Sequence, residues 1–398
     1  MRYPLEGIRV LDLSQMWAVP GSGMYLGDQG ADVIKVEPPW GDEGRRVLTA
    51  SPIQTEQGAL NRHFLLLNRN KRGIAVDIRS DEGRRIVYRL VERADVFLHN
   101  YRPEACKKLG YDYETLHQIN PRIIYLDFTP YGPEGPYVTK PAYDRVVQAV
   151  SGVHGRRRLP NGTPLGAGVW VADCSSPILI AYGIALALLM REKTGVGQKV
   201  DTSLLAAAIS MQSVELVSSE KDAASPPRSL ADQAMYSPYR CRDGEYLIIV
   251  IVSDREFAGL CKVLDIEHLA TDSAFLTHEK RAENSDTLYH ILEGIFATKP
   301  RDEWMRLFEE ADLPAAPILR PADVFYHPQM LENELIIEVD EPRAGKVRMM
   351  GIPVKISSAP AEVRTLAPDL GQHTDEVLIE IGYTKTQIEQ LRQKGIIC

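Results

Sequence analysis

IRVLDLSQMWAVPGSGMYLGDQGADVIKVE, residues 8–37, reads as one complete strand–helix–strand unit. Ile8–Leu13 is a short apolar strand, and a loop through Pro20 leads into a helix from about Gly21 to Gln29. Gly30 stops that helix, and Asp32–Glu37 is a second strand. Two strands joined through one helix run parallel. The pattern repeats outward. Ile74–Asp77 is a third strand, and Ser80 caps a helix that runs to about Arg93, with Asp81 and Glu82 at its positive end. Asp95–Leu98 is the next strand, Tyr113–Ile119 another helix, and Arg122–Leu126 a fifth strand. Serial βα units predict an α/β fold with a mostly parallel sheet covered on both faces. Pro177–Met190 is the longest apolar stretch, too short for a bilayer span and read as a buried core helix that Pro177 opens.

After Asp201 the texture changes. A helix fits Ser203 to about Leu216, and the polar, Pro-rich stretch Ser218–Arg228 reads as a linker. A smaller α+β unit follows, with a strand over Tyr246–Val252 and helices near 255–264, 284–297 and 301–311. Beyond it come strands near 335–339 and 346–349 and a C-terminal helix over Lys385–Lys394.

With 398 residues there is chain for two domains. Asp and Glu outnumber Lys and Arg by 54 to 46, a net charge of −8, which argues against nucleic acid or an anionic membrane as partner. The five cysteines, Cys106, Cys174, Cys241, Cys261 and Cys398, are odd in number and never spaced Cys-x-x-Cys. They predict a reducing, cytoplasmic setting without a disulfide framework. No secretory signal is expected from the first residues, Met-Arg-Tyr-Pro. The nine histidines form no ligand set, so no metal site is expected.

Several clusters carry possible chemistry. Gly21-x-Gly23-x-x-x-Gly27 lies where a dinucleotide site places its glycines, and Glu37 where a ribose-binding acid sits. The spacing departs from that fingerprint and Pro20 crowds the turn, so a close-packed βα turn near a ligand is the better reading. Asn68-Arg-Asn-Lys-Arg72 reads as either an anion cradle or a solvated basic turn. Asn100-Tyr-Arg-Pro103 follows the fourth strand, where open α/β sheets bind ligands. Gly155-Arg-Arg-Arg158 reads as a solvated loop more than as a phosphate site. Asp173 stands before the apolar helix, where backbone N–H groups and the helix dipole favour the anion by roughly 0.3–1 kcal/mol. From spacing alone it is a helix cap, and Cys174 beside it is a rival nucleophile without a histidine at any recognisable spacing.

Together the segments resemble the family III CoA-transferases, the group of formyl-CoA and carnitine CoA-transferases, over essentially the whole chain. The likeness rests on Pro4–Asp12, Gly30–Pro38, Asn70–Asp77, Asn100–Pro103, Tyr143-Asp, Val171-Ala-Asp173, Arg191–Gln198 and Ala367–Thr374. It implies a large Rossmann-like CoA-binding domain from residues 1–217, a linker and small domain over 218–325, and a return segment, 326–398, completing the large domain. It implies an interlocked dimer in which each chain threads the other, and a glycine turn at Gly21 and Gly23 that holds CoA. Gln15, Met16, Trp17 and Ala18 would line the CoA cleft. Asn70, Arg72, Asn100, Tyr101 and Lys108 would contact its nucleotide and phosphates, and Tyr143 and Asp144 would lie in the substrate pocket. Asp173 would be the nucleophile through which CoA moves from an acyl-CoA donor to a carboxylic acid acceptor, by aspartyl-anhydride and enzyme-CoA thioester intermediates, with the following helix start supplying oxyanion donors. Coenzyme A would be a substrate, with no permanently bound cofactor.

Two departures from the family pattern stand out. Some members carry a glycine-rich loop over the active site, and none is legible between 226 and 262. The family also holds α-methylacyl-CoA racemases, which place a catalytic histidine at the position of Tyr143. Lacking that imidazole, this chain fits transfer better than racemisation. A non-catalytic CoA-binding subunit of a heteromeric transferase is the other alternative.

Overall fold

The computed structural model describes residues 2–46, 51–56, 58–159, 161–220, 233–360 and 362–398. The linker expected over Ser218–Arg228 lies outside them beyond Glu220. The chain forms two compact units, one from Met1–Val217 with Pro328–Cys398, the other from Ser218–His327.

The larger unit is a doubly wound α/β layer. Its strands are β1 (Arg9–Asp12), β2 (Asp32–Glu37), β3 (Lys71–Ala75), β4 (Val96–Leu98), β5 (Ile124–Thr129) and β6 (Lys199–Ser203). They lie in the order β3-β2-β1-β4-β5-β6, and every neighbouring pair is parallel. The order reverses direction between β1 and β4, the switch point outside which such sheets bind ligands. Alternate residues feed two cores. Leu11, Ile34, Ile74 and Phe97 face one side, and Val10, Val33, Val96 and Ile124 the other. Helices α1 (Ala18–Asp28), α2 (Arg62–Leu67), α3 (Asp81–Val91), α4 (Pro103–Leu109), α5 (Tyr113–Ile119), α6 (Asp144–Val150), α7 (Val171–Thr194) and α8 (Leu204–Ser210) connect the strands. As expected, Ser80 caps α3, accepting from the Gly83 N–H at 2.9 Å.

Two boundaries differ from the sequence reading in ways that matter. Helix α1 starts at Ala18, so Gly21, Gly23 and Gly27 lie inside it. They do not form a phosphate turn. A Cβ on Gly21 would come within 2.8 Å of Pro177 Cγ, and one on Gly23 within 3.0 Å of Asp12 Oδ2. The glycines let α1 lie against α7 and against a buried ion pair. Helix α7 starts at Val171, so Asp173 sits in its first turn and Pro177 inside it.

The return segment completes one face of the sheet. Val377 and Leu378 on α9 (Thr374–Glu380) and Ile388 and Leu391 on α10 (Lys385–Gln393) join the core under α3. The stretch Ala367–Thr374 caps the edge strand β3. His373 N donates to Gly73 O at 2.8 Å, Gly73 N donates to His373 Nδ1 at 3.1 Å, and Ala75 N donates to Thr374 Oγ1 at 3.1 Å. This cover occupies main-chain groups that an open edge would offer to another strand.

The smaller unit has an antiparallel sheet of Pro238–Arg240, Tyr246–Ile249 and Ala315–Pro317. Helices Asp254–Val263, Ser285–Phe296 and Arg301–Glu310 pack on it around Trp304, Phe296 and Tyr239. The strand expected to run to Val252 ends at Ile249, where the chain turns to the Ser253 capping box with Glu256.

Candidate active site at the switch point

The crevice is built on the loop after β1. Met16 holds a left-handed backbone, φ 73°, a conformation that costs a non-glycine residue energy unless its surroundings enforce it. Three clamps do so. Asn100, just past β4, accepts from the Gln15 N–H at 3.0 Å and donates its amide to the Gln15 carbonyl at 2.7 Å. Asp42 accepts from the Met16 N–H at 3.2 Å. Lys35 donates to the Ser14 carbonyl and to Asp42 Oδ2, the latter at 2.8 Å. Gln15 and Asn100 thus meet across the switch point.

Beneath the loop lies a network of buried charges. Lys71 donates to Asp12 Oδ2 at 2.8 Å, to the Pro20 carbonyl at 2.8 Å and to Asn68 Oδ1 at 3.0 Å. Burial lowers the Lys71 pKa to about 8 against the pull of Asp12. Burial also disfavours charge on Asp12 and Lys35, yet the opposite charges win. Lys71 and Lys35 hold Asp12 below the ordinary carboxylate range, and Asp42, Asp12 and Glu37 push Lys35 up.

Helix α7 feeds β6, so its N-terminus lies at the carboxyl edge of the parallel sheet, as α1's does. Trp170, the residue before α7, stands 6.1 Å from Trp17 between ring centroids, and Trp17 meets the His63 edge at 4.2 Å. Asp173 is half-buried beside this aromatic wall.

The electrostatics of Asp173 reverse the expectation of an anion favoured by a helix end. Asp144, at the start of α6, inserts its carboxylate under α7, where Oδ2 accepts from the N–H groups of Ala172 at 2.7 Å and Asp173 at 3.0 Å. Gln148 holds the other oxygen of Asp144. The Val171 and Cys174 N–H groups bond to the carbonyls of Val169, at 3.1 Å, and Trp170, at 2.8 Å. Every N–H of this first turn is occupied, so the start of α7 offers no oxyanion donor. Asp144 is the cap, a role that spacing alone suggested for Asp173. Burial and then the Asp144 charge push the Asp173 carboxyl up to about 7. Cys174 is exposed, and burial of its sulfur with the two neighbouring carboxylates raises its thiol to about 11, so it is protonated at neutral pH.

Gln15, Met16, Trp17 and Ala18 follow one another on the β1 loop and the start of α1, Asn100 is bonded to Gln15, and Trp17 meets Trp170, three residues before Asp173. Tyr101 is half-buried and stacked on His99, with centroids 6.0 Å apart. Lys108 is exposed in the last turn of α4, and Tyr143 is 74 % exposed at the rim. Three expected contacts do not face the crevice. Asp144 is buried as a cap rather than lining a pocket. Arg72 lies at the amino ends of the strands, bonded to Asp32, Glu376 and Glu380. Asn70 is buried, donating to Asp28 Oδ1 at 2.8 Å and accepting from the Arg364 N–H at 2.7 Å. The basic run 68–72 is an internal brace. Arg69 also pairs with Asp28, both fully buried. In the 155–158 cluster, Arg156 bonds to Gln212 at 2.8 Å and pairs with Glu215, while Arg157 and Arg158 are exposed.

The sequence reading missed Trp170, His63, Lys35 and Asp42. Nothing local marks them: Trp170 lies far along the chain from Trp17, and Lys35 reads as an ordinary strand residue.

Comparison with known proteins agrees with this architecture. The family described as CoA-transferase family III matches residues 5–374. The mouse protein named succinyl-CoA:glutarate CoA-transferase is 36 % identical, over 99 % of this chain and 90 % of its own length. Formyl-CoA:oxalate CoA-transferase of Streptomyces coelicolor is 30 % identical, over 99 % of each chain. The crystal structure of a CAIB/BAIF family protein from Brucella suis superposes with a TM-score of 0.83 at 32 % identity, covering 96 % of this chain and all of that one.

Proposed function

The chain belongs to CoA-transferase family III and is a CoA-transferase; from that premise we propose that Asp173 moves CoA between two carboxylic acids through covalent aspartyl-anhydride and aspartyl-CoA thioester intermediates. The Asp173 carboxylate attacks the thioester carbonyl of the acyl-CoA, and CoA leaves as its thiolate, giving a mixed anhydride. The thiolate attacks the aspartyl carbonyl, and the donor acid leaves as carboxylate. The incoming carboxylate attacks the resulting aspartyl thioester, releasing thiolate again. That thiolate finally attacks the acyl carbonyl of the second anhydride, forming the new acyl-CoA and regenerating Asp173. Each intermediate stays activated, so no ATP is consumed.

The single observation that supports this reading is a half-buried carboxylate in the first turn of α7 with its proton affinity raised to about 7. A more basic carboxylate is a better nucleophile while remaining largely ionised just above neutral pH. Oxyanion donors come from α1 in this reading. Its start carries no side-chain cap, leaving the Ala18 and Val19 N–H groups at the same edge. Trp17, Met16 and Tyr143 would flank the pantetheine arm.

The anhydride must be shielded from water. We assign that cover to a second copy in an interlocked homodimer. The most apolar 18-residue window of α7 has a mean hydropathy of 1.7, yet only 44 % of it is buried. Ile178, Tyr182, Leu186 and Leu189 form an exposed stripe leading away from Asp173. Five free thiols fit a reducing compartment, the cytoplasm.

Hydroxylamine added during turnover with succinyl-CoA and glutarate should convert Asp173 to its hydroxamate, read by peptide mass spectrometry. Asp173→Ala should abolish exchange while CoA still binds. An adduct on Cys174, or undiminished exchange in Asp173→Ala, refutes the assignment.

A further inference from the structure

We propose that Arg145 selects acids carrying a second carboxylate, a refinement that rests on the CoA-transfer reading above. Arg145 follows the capping Asp144 on α6, and its guanidinium lies over the Trp170 ring, 4.9 Å from the centroid. Trp170 ends where α7 and its Asp173 begin, and its other neighbour is Trp17 of the β1 loop. The guanidinium is therefore seated on the aromatic wall of the crevice.

Three observations favour a substrate anion as its partner. Arg145 is exposed, and among the described residues no carboxylate lies within ion-pair distance of it. The nearest acidic side chain in sequence, Asp144, turns inward and is consumed by the α7 N–H groups and Gln148. The other cations of this region, Lys35 and Lys71, are fully buried and committed to Asp42 and Asp12. An acid approaching the Asp144–Asp173 pair meets negative charge, and a second carboxylate would worsen that repulsion. A planar fork held flat on an indole offsets it and can bind that distal carboxylate through two parallel hydrogen bonds. The indole orients the guanidinium in advance, so little freedom is lost on binding. The class of substrate is then a short dicarboxylate and its mono-CoA thioester.

The test compares matched pairs: succinyl-CoA against butyryl-CoA as donors, and glutarate against pentanoate as acceptors. In the unaltered enzyme, kcat/KM should favour the acid with two carboxylates in each pair. In Arg145→Gln that preference should fall about 10- to 100-fold, chiefly through KM, since the distal carboxylate is bound alike in ground and transition states. Arg145→Lys, which keeps the charge and loses the fork, should retain part of the preference. A preference unchanged within about twofold in both variants overturns the role of Arg145 while leaving CoA transfer standing. Failure of the unaltered enzyme to transfer CoA to any of these acids overturns the transfer reading and this assignment together.

Discussion

Asp173 and Asp144 form a pair of acids with divided labour. One caps a helix, and its charge keeps a proton closer to the other. Because the Asp173 carboxyl titrates near 7, kcat/KM for exchange should fall with unit slope as pH drops below about 7. Asp144→Asn keeps an amide oxygen to accept from Ala172 and Asp173 but removes the charge, so the acid limb should move to lower pH. An unmoved limb would mean that Asp144 does not set the proton affinity of Asp173. The same shift has a consequence for stability. The folded-state pKa is raised above the unfolded value near 3.9, so ionisation of Asp173 costs folding stability as pH rises from about 4 to 7. Asp173→Asn removes that cost, and its gain in denaturation midpoint over the unaltered protein should be larger at pH 8 than at pH 4.

The β1–α1 loop is held by charges set inside the sheet rather than by its own sequence. Lys35 on β2 reaches Ser14 and Asp42, and Lys71 on β3 reaches Asp12 and Pro20. Removing one member of a buried pair leaves the other unpaired in an apolar surround. Lys35→Met should therefore lower unfolding free energy by about 3–5 kcal/mol, measured by denaturant titration. A loss below about 1 kcal/mol would show that the loop is held without this pair. The glycines of α1 act at the same scale. Gly21 and Gly23 are the places where α1 meets Pro177 and the Lys71–Asp12 pair with no room for a side chain.

For the whole molecule, the exposed apolar stripe on α7 is the feature that a single chain leaves unsatisfied. Size-exclusion chromatography with light scattering should give a dimer of twice 44.5 kDa. Leu186→Glu, placed in the middle of the stripe, should yield monomer or aggregate with little exchange activity. A monomeric, fully active protein would remove both the dimer and the cover it supplies to Asp173 from the proposal.

The βα alternation of the first half was legible because strand and helix periodicities are local. Residues two apart or three to four apart are fixed by chain geometry before anything folds. The motif around Asp173 was likewise contiguous, as was the Asn100 turn. The destinations of charged side chains were not legible. Arg72 read as a phosphate ligand because its partners, Asp32, Glu376 and Glu380, are scattered along the chain. The glycines read as a turn because only the packing of α1 against α7 shows what they admit. The sequence by itself determined the α/β alternation and the family, and through the family pattern it singled out Asp173, with Cys174 beside it, as the candidate nucleophile. Tertiary structure alone decided that Asp144 occupies the helix end and that the basic run turns inward, because an ion pair depends on distance in space, which no spacing along the chain encodes.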